Sequence, residues 1–121
     1  MVFNQIKKVI RMGHWDIVKF QMLLYCHLNN IPITEQGLNC ITLLGINGEQ
    51  ELSTFCDEVA AKKIFRNSQS VRTALATFEK KALISTFKNG TGKKRVKISD
   101  KILLEASGNI LLDLKVVSIE S

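Results

Sequence analysis

The sequence predicts a mainly helical α+β fold in a single domain over residues 1–121: helices first, then a β-hairpin, then one further strand. Three observations predict it. Apolar residues recur at three- and four-residue steps through four successive segments between 15 and 82. The period then changes to alternation on either side of an Asn89-Gly90 step, the strongest short-range signal for a hairpin. A chain of 121 residues is also long enough to bury a core without disulfide or metal staples.

Each element follows from local signals. Residues 1–14 admit two readings, because Ile6, Val9 and Ile10 fit either a helical face or a short strand, and Gly13 ends both. Asp16 then offers an N-cap to a helix whose apolar stripe is Ile17, Phe20, Leu24 and Leu28, closed by Asn29-Asn30 and Pro32. Thr34 caps a second helix, with Glu35 in its first turn and Leu38, Ile41 and Leu44 or Gly45 on its buried side; Asn47-Gly48 ends it. Ser53 is the expected cap of a third, with a stripe of Leu52, Phe55, Cys56, Val59 and Ile64. Asn67 or Ser68 caps a fourth, in which Val71, Leu75, Phe78 and Ala82 repeat.

Beyond it, 83–88 reads as extended, Asn89-Gly90-Thr91-Gly92 as a tight turn and 93–98 as an alternating strand. A helical turn over 102–106, a turn at 107–109 and a final strand over 110–117 complete the chain. The expected organisation is a core over 33–98, an N-terminal helical extension over 1–32 and a C-terminal strand extension over 99–121.

Composition narrows the function classes. Hydrophobic residues at 45% and charged residues at 23% place the chain among globular domains, outside the disordered range. The apolar run Met22-Leu23-Leu24-Tyr25-Cys26 is far too short to span a bilayer, and Lys7, Lys8 and Arg11 interrupt any apolar signal segment, so a cytoplasmic protein with no membrane partner is expected. Cys26, Cys40 and Cys56 lie in apolar stretches at wide spacing and read as reduced core residues. Charge is distributed unevenly. Residues 62–101 hold twelve Lys and Arg against Glu79 and Asp100, a net +10, whereas residues 1–61 carry −2. Positive charge concentrated in one third of a chain is the footprint of a face that binds a polyanion.

Three stretches then carry a resemblance: Ile33-Thr34-Glu35-Gln36-Gly37-Leu38 opening the second helix, Gly48-Glu49-Gln50-Glu51-Leu52 leading into the third, and Ser68-Gln69-Ser70-Val71-Arg72-Thr73-Ala74-Leu75 opening the fourth. With the exit Phe78-Glu79-Lys80-Lys81-Ala82-Leu83-Ile84 and the hairpin over 87–98, they resemble a winged helix-turn-helix, as in the DNA-binding core of MarR-type regulators and in phage and plasmid winged-helix accessory proteins. The resemblance covers 33–98. It departs from the MarR pattern at 60–67, which is longer than that family's tight turn, and in ending on a strand instead of a long dimerisation helix. It implies that the fourth helix is the recognition helix, the hairpin its wing, and double-stranded DNA the partner.

The residues support the same contact. With Val71, Leu75 and Phe78 inward, Gln69, Arg72, Thr73, Ala76 and Lys80 face outward. Gln69 has an amide able to pair bidentately with adenine and Arg72 a fork suited to guanine, while Ser68, Ser70 and Thr73 are phosphate donors. In the wing, alternation puts Lys93, Arg95 and Lys97 on an outer face and Lys94, Val96 and Ile98 on the other, with Lys88 across the turn. Lys62, Lys63 and Arg66, just before the recognition helix, add backbone contacts.

Catalysis and cofactors find no such support. His14 and His27 are far apart, a zinc site from Cys26, His27, Cys40 and Cys56 lacks ligand-pair spacing, and Gly90-Thr91-Gly92-Lys93-Lys94 lacks the full spacing of a phosphate-binding loop. No enzyme, metal or cofactor is expected. Two function classes follow: a DNA-binding regulator or replication accessory of a phage or other mobile element, and a virion or assembly protein, homo-oligomeric or partner-bound, that uses the scaffold for protein contacts. In the second, 110–117 joins a neighbour's sheet by strand addition.

Overall fold

The structure is a computed structural model, which describes residues 13–90, 92–102 and 104 in full and residues 2–11 and 109–118 as backbone. Among the described residues nine elements follow in chain order: β1 (Val2–Arg11), α1 (His14–Leu28), α2 (Glu35–Asn47), β2 (Gln50–Glu51), α3 (Leu52–Ala61), α4 (Ser68–Lys80), β3 (Ile84–Lys88), β4 (Lys94–Ile98) and β5 (Asn109–Ser118). The strands make two antiparallel sheets, one of order β2-β4-β3 and one of β1 with β5. The expected fold class, helices with a C-terminal hairpin and one more strand, is the one observed.

Local chemistry sets the helix ends. Thr34 Oγ1 accepts from Gly37 N at 3.1 Å, and Asn67 Oδ1 accepts from Ser70 N at 2.9 Å, so both expected caps are made. Gly48 ends α2 at φ +78°, where a side chain would be strained. The ends of α3 and α4 share a different device: Ile64 N donates to Val59 O and Lys63 N to Ala60 O, as Leu83 N does to Phe78 O and Ala82 N to Glu79 O. Both are Schellman closures, and both place a residue with a Cβ, Lys63 and Ala82, at φ +59°.

The core lies between the helices and the inner face of the three-stranded sheet. Met22 of α1, Ile41 and Leu44 of α2, Phe55 and Val59 of α3, Val71 of α4 and Val96 of β4 are all fully enclosed. Thr42, also buried, donates its hydroxyl to Leu38 O at 2.7 Å and so costs the core no orphaned donor. All three cysteines are buried and unpaired. Burial, aided by neighbouring Cys56, pushes the Cys40 thiol up to about 12.

Several expectations need correction. Residues 2–11 form a strand paired with β5 over its whole length, from Val2 opposite Ser118 to Arg11 opposite Asn109, so the N-terminal extension is not helical throughout. Asp16 lies in the first turn of α1, not at its cap, which is Gly13. The buried stripe of α1 is Ile17, Val18, Met22 and Cys26; Phe20, Leu24 and Leu28, expected inside with Ile17, are exposed. Ser53 is not the cap of α3, which is Glu51, so the helix starts two residues earlier, at Leu52. Ala82 has left the α4 stripe for the left-handed turn just described. β2 has no sequence expectation behind it. The turns expected at 102–106 and 107–109 fall mostly on residues outside those described, as does Thr91 in the hairpin turn, which Gly92 N closes onto Asn89 O at 3.0 Å.

Candidate nucleic-acid interface

Helix α4 is held by one face. Val71, Leu75 and Phe78 are buried, and the opposite side exposes Gln69, Arg72, Thr73, Ala76 and Lys80 as expected. Neighbouring groups then restrict what its polar side chains can offer. Ser68 donates its hydroxyl to Asp57 Oδ1 at 2.8 Å, and Thr73 donates to Gln69 O at 3.1 Å. Both protons are already committed inside the chain, leaving those two oxygens as acceptors. Arg72 reaches back from α4 to α3, where its Nη2 donates to Ser53 Oγ at 3.3 Å.

The hairpin divides its cations between two faces, and the register decides which is which. Lys88 pairs with Lys94, Thr86 with Val96 and Ile84 with Ile98, so these six share the face toward the helices; Phe87 pairs with Arg95 and Ser85 with Lys97 on the other. Lys93, Arg95 and Lys97 therefore do lie away from the core. They are not a bare cationic row, however. Arg95 Nε meets Glu49 Oε2 at 2.9 Å, Lys93 Nζ lies 3.9 Å from Glu51 Oε2, and Lys97 Nζ is 3.1 Å from Asp100 Oδ1 and 5.6 Å from the Phe87 ring centroid. Such exposed pairs stabilise little, but they cancel the charge of that face.

Lys88 belongs with Lys94 on the helix side, not with the outer row. Among the described residues neither has an ion-pair partner, and the two stand directly opposite each other, where like charges repel. Lys94 lines a recess of about 180 Å3 between α4 and the sheet, together with Arg72, Ala76, Glu79 and Thr86. Thr86 Oγ1 donates to Glu79, tying the one acid of the recess to its wall. Arg72 and Lys94 thus flank one concavity from two elements. Lys62, Lys63 and Arg66 are exposed on the connection from α3 to α4, and Lys80 on the last turn of α4; none has an ion pair among the described residues.

The acids that neutralise the outer face, Glu49, Glu51 and Asp100, were missed by the sequence reading. Glu49 and Glu51 stand before the basic third of the chain and reach it only because β2 pairs with β4, Glu51 opposite Arg95. Among the described residues, no group of three or more His, Cys, Asp or Glu side chains could hold a metal ion, and no helix is long and apolar enough to cross a membrane.

No family model matches the chain, and no curated protein does. Among solved structures it is similar to the ferric uptake regulator Fur of Helicobacter pylori, with a TM-score of 0.51 and 16% identity over 84% of this chain and 73% of that one. The likeness supports a winged-helix fold. The Fur structure is described as having three functional metal-binding sites, a feature to which the described residues here offer no matching cluster.

Proposed function

We propose that this chain is a non-enzymatic, DNA-binding winged-helix protein, a transcription regulator or replication accessory, that inserts α4 into the major groove and rests its hairpin on the backbone. One observation carries the reading: the exposed face of α4 continues, through the recess shared by Arg72 and Lys94, onto hairpin cations with no acidic partner among the described residues. The likeness to a regulator adds to it. Assignment to a phage or other mobile element rests on the sequence resemblance alone.

In this reading Gln69 and Arg72 meet base edges, and Ser70 is the hydroxyl donor in the first turn, since the Ser68 and Thr73 hydroxyls already donate within the chain. Lys62, Lys63, Arg66 and Lys80 meet phosphates beside the helix, and Lys88 and Lys94 meet them at the wing. Lys93, Arg95 and Lys97 join only by leaving Glu51, Glu49 and Asp100.

Fluorescence anisotropy with a random-sequence duplex at two salt concentrations tests it. Affinity should fall steeply with salt, and across a set of duplexes of defined sequence Arg72→Ala should relax preference at one base position by about 1–3 kcal/mol. Absent or salt-indifferent binding would refute the proposal and leave the protein-contact alternative, a virion or assembly component.

A further inference from the structure

A stripe of α1 that no part of the described chain covers carries four large apolar side chains beside His27. Phe20, Leu23, Leu24 and Leu28 are 36%, 48%, 44% and 69% exposed, although each is a residue type that burial favours. Their arrangement specifies what fits there. Phe20, Leu23, Leu24 and His27 line a recess of about 310 Å3, and their spacing, i, i+3, i+4 and i+7, is that of the four-residue hole that receives one side chain from a facing helix. On its other flank Leu24 borders a second recess of about 250 Å3 with Tyr25, Leu28, Ile102 and Leu104. Leu24 is therefore a ridge between two hollows. Knob and hole lie on one patch of one helix, which is the condition for a self-complementary, two-fold contact.

We infer that α1 is a homodimer interface in which the helices of two copies pack antiparallel across this stripe. With the axis at Leu24, Leu24 faces Leu24, and Phe20 of one copy faces Leu28 of the other. Opposed helix dipoles favour the arrangement. Area is sufficient but not generous. The four side chains expose on the order of 400 Å2 per copy. With Tyr25 and Leu104 beside them a pair has at most about 1,000 Å2 to bury, the lower limit for a specific interface and the size of a weak, reversible one. A second copy supplies this without any other partner, and the inference does not depend on the DNA reading.

Sedimentation equilibrium of the full chain tests it, from about 5 to 100 µM, the range in which an interface of this size associates. The unmodified protein should be a dimer that dissociates on dilution. Leu24→Glu places two carboxylates at the axis and should raise the dimer Kd at least about 100-fold, leaving monomer throughout. Its circular dichroism should match the unmodified monomer's, because Leu24, at 44% exposure, lies outside the buried stripe of α1 and leaves a Glu carboxylate access to water. Leu28→Glu, at the most exposed position, provides a second variant should Leu24→Glu fail to fold. A protein that is monomeric at the top of the range overturns the inference, whether some other partner covers the stripe or nothing does. A dimer that persists in Leu24→Glu or Leu28→Glu overturns it equally, by placing the interface on another surface such as the β1–β5 ribbon.

Discussion

Replacing Lys88 and Lys94 together with Ala should remove more DNA affinity than replacing Lys93, Arg95 and Lys97 together, although the second set deletes three charges and the first only two. The reason is in the pairing. Each of the three outer cations has a carboxylate within 4 Å, at 3.9, 2.9 and 3.1 Å, so a phosphate that approaches must displace an anion already present. Lys88 and Lys94 have none among the described residues, and their mutual repulsion on the helix side is relieved by a shared anion. Each phosphate contact adds about 0.9 to the slope of log affinity against log salt. Loss of two contacts should flatten the slope by nearly 2 and weaken binding roughly 60-fold at 0.1 M salt. The outer triple should change the slope by less than about 1. Anisotropy titrations of a fluorescent duplex between 0.05 and 0.3 M salt measure both. If the outer triple flattens the slope more than the Lys88/Lys94 pair, the assignment of faces is wrong and the ion pairs do not persist in solution.

Other predictions concern stability. Ala82→Gly should stabilise by about 0.5–1 kcal/mol, because the left-handed backbone costs Ala about 1–2 kcal/mol and the added freedom of the unfolded chain returns only part of that; a lower urea midpoint would contradict the Schellman geometry. Gly45→Ala should destabilise by about 1–2 kcal/mol despite its better helix propensity, since the new Cβ would lie 3.0 Å from Val18 Cγ1 and 2.8 Å from Leu104 Cδ1; a raised melting temperature would show that α1 and α2 have room to part. Asn67→Ala should cost about 1 kcal/mol through loss of the α4 cap, read in the same urea titration, and an unchanged midpoint would mean that Ser68 takes over the cap. The Cys40 thiol ionises near 9 when unfolded and near 12 when folded, so the stability tied to its proton is complete below pH 9 and is lost as pH rises toward 12. Between pH 8 and 10 the protein should lose stability on the order of 1 kcal/mol that Cys40→Ala does not lose. Equal losses in the two proteins would place the thiol in contact with water.

Where the sequence reading succeeded, one local pattern had no competitor. In α4 the apolar positions Val71, Leu75 and Phe78 form a single stripe against a polar background, so inside and outside follow from spacing alone. The Asn89-Gly90 step and the alternation after it located the hairpin with equal economy. In α1 the same reasoning had two answers. Ile17-Val18, Met22 and Cys26 compete with Phe20, Leu24 and Leu28 around one helix, and periodicity cannot choose between two apolar stripes; packing against α2 does. β2 is two polar residues long and is a strand only because β4 offers it an edge. The neutral outer face of the wing was hidden for the same reason: Glu49 and Arg95 are 46 positions apart and become neighbours only after that edge is joined. Local propensity was readable, and long-range pairing was not.

The ribbon of β1 and β5 has a kinetic consequence. Its nearest-in-sequence pair, Arg11 with Asn109, already encloses almost the entire chain, and an extended polymer would pay heavily in entropy to bring those positions together. Once the helices and hairpin have condensed, the same two segments are tethered to a finished body and their encounter becomes a short search. Assembly should thus run from the middle outward, with the two termini zipping together last and parting first, and amide exchange in 2–11 and 109–118 should outpace that in α2 and α4.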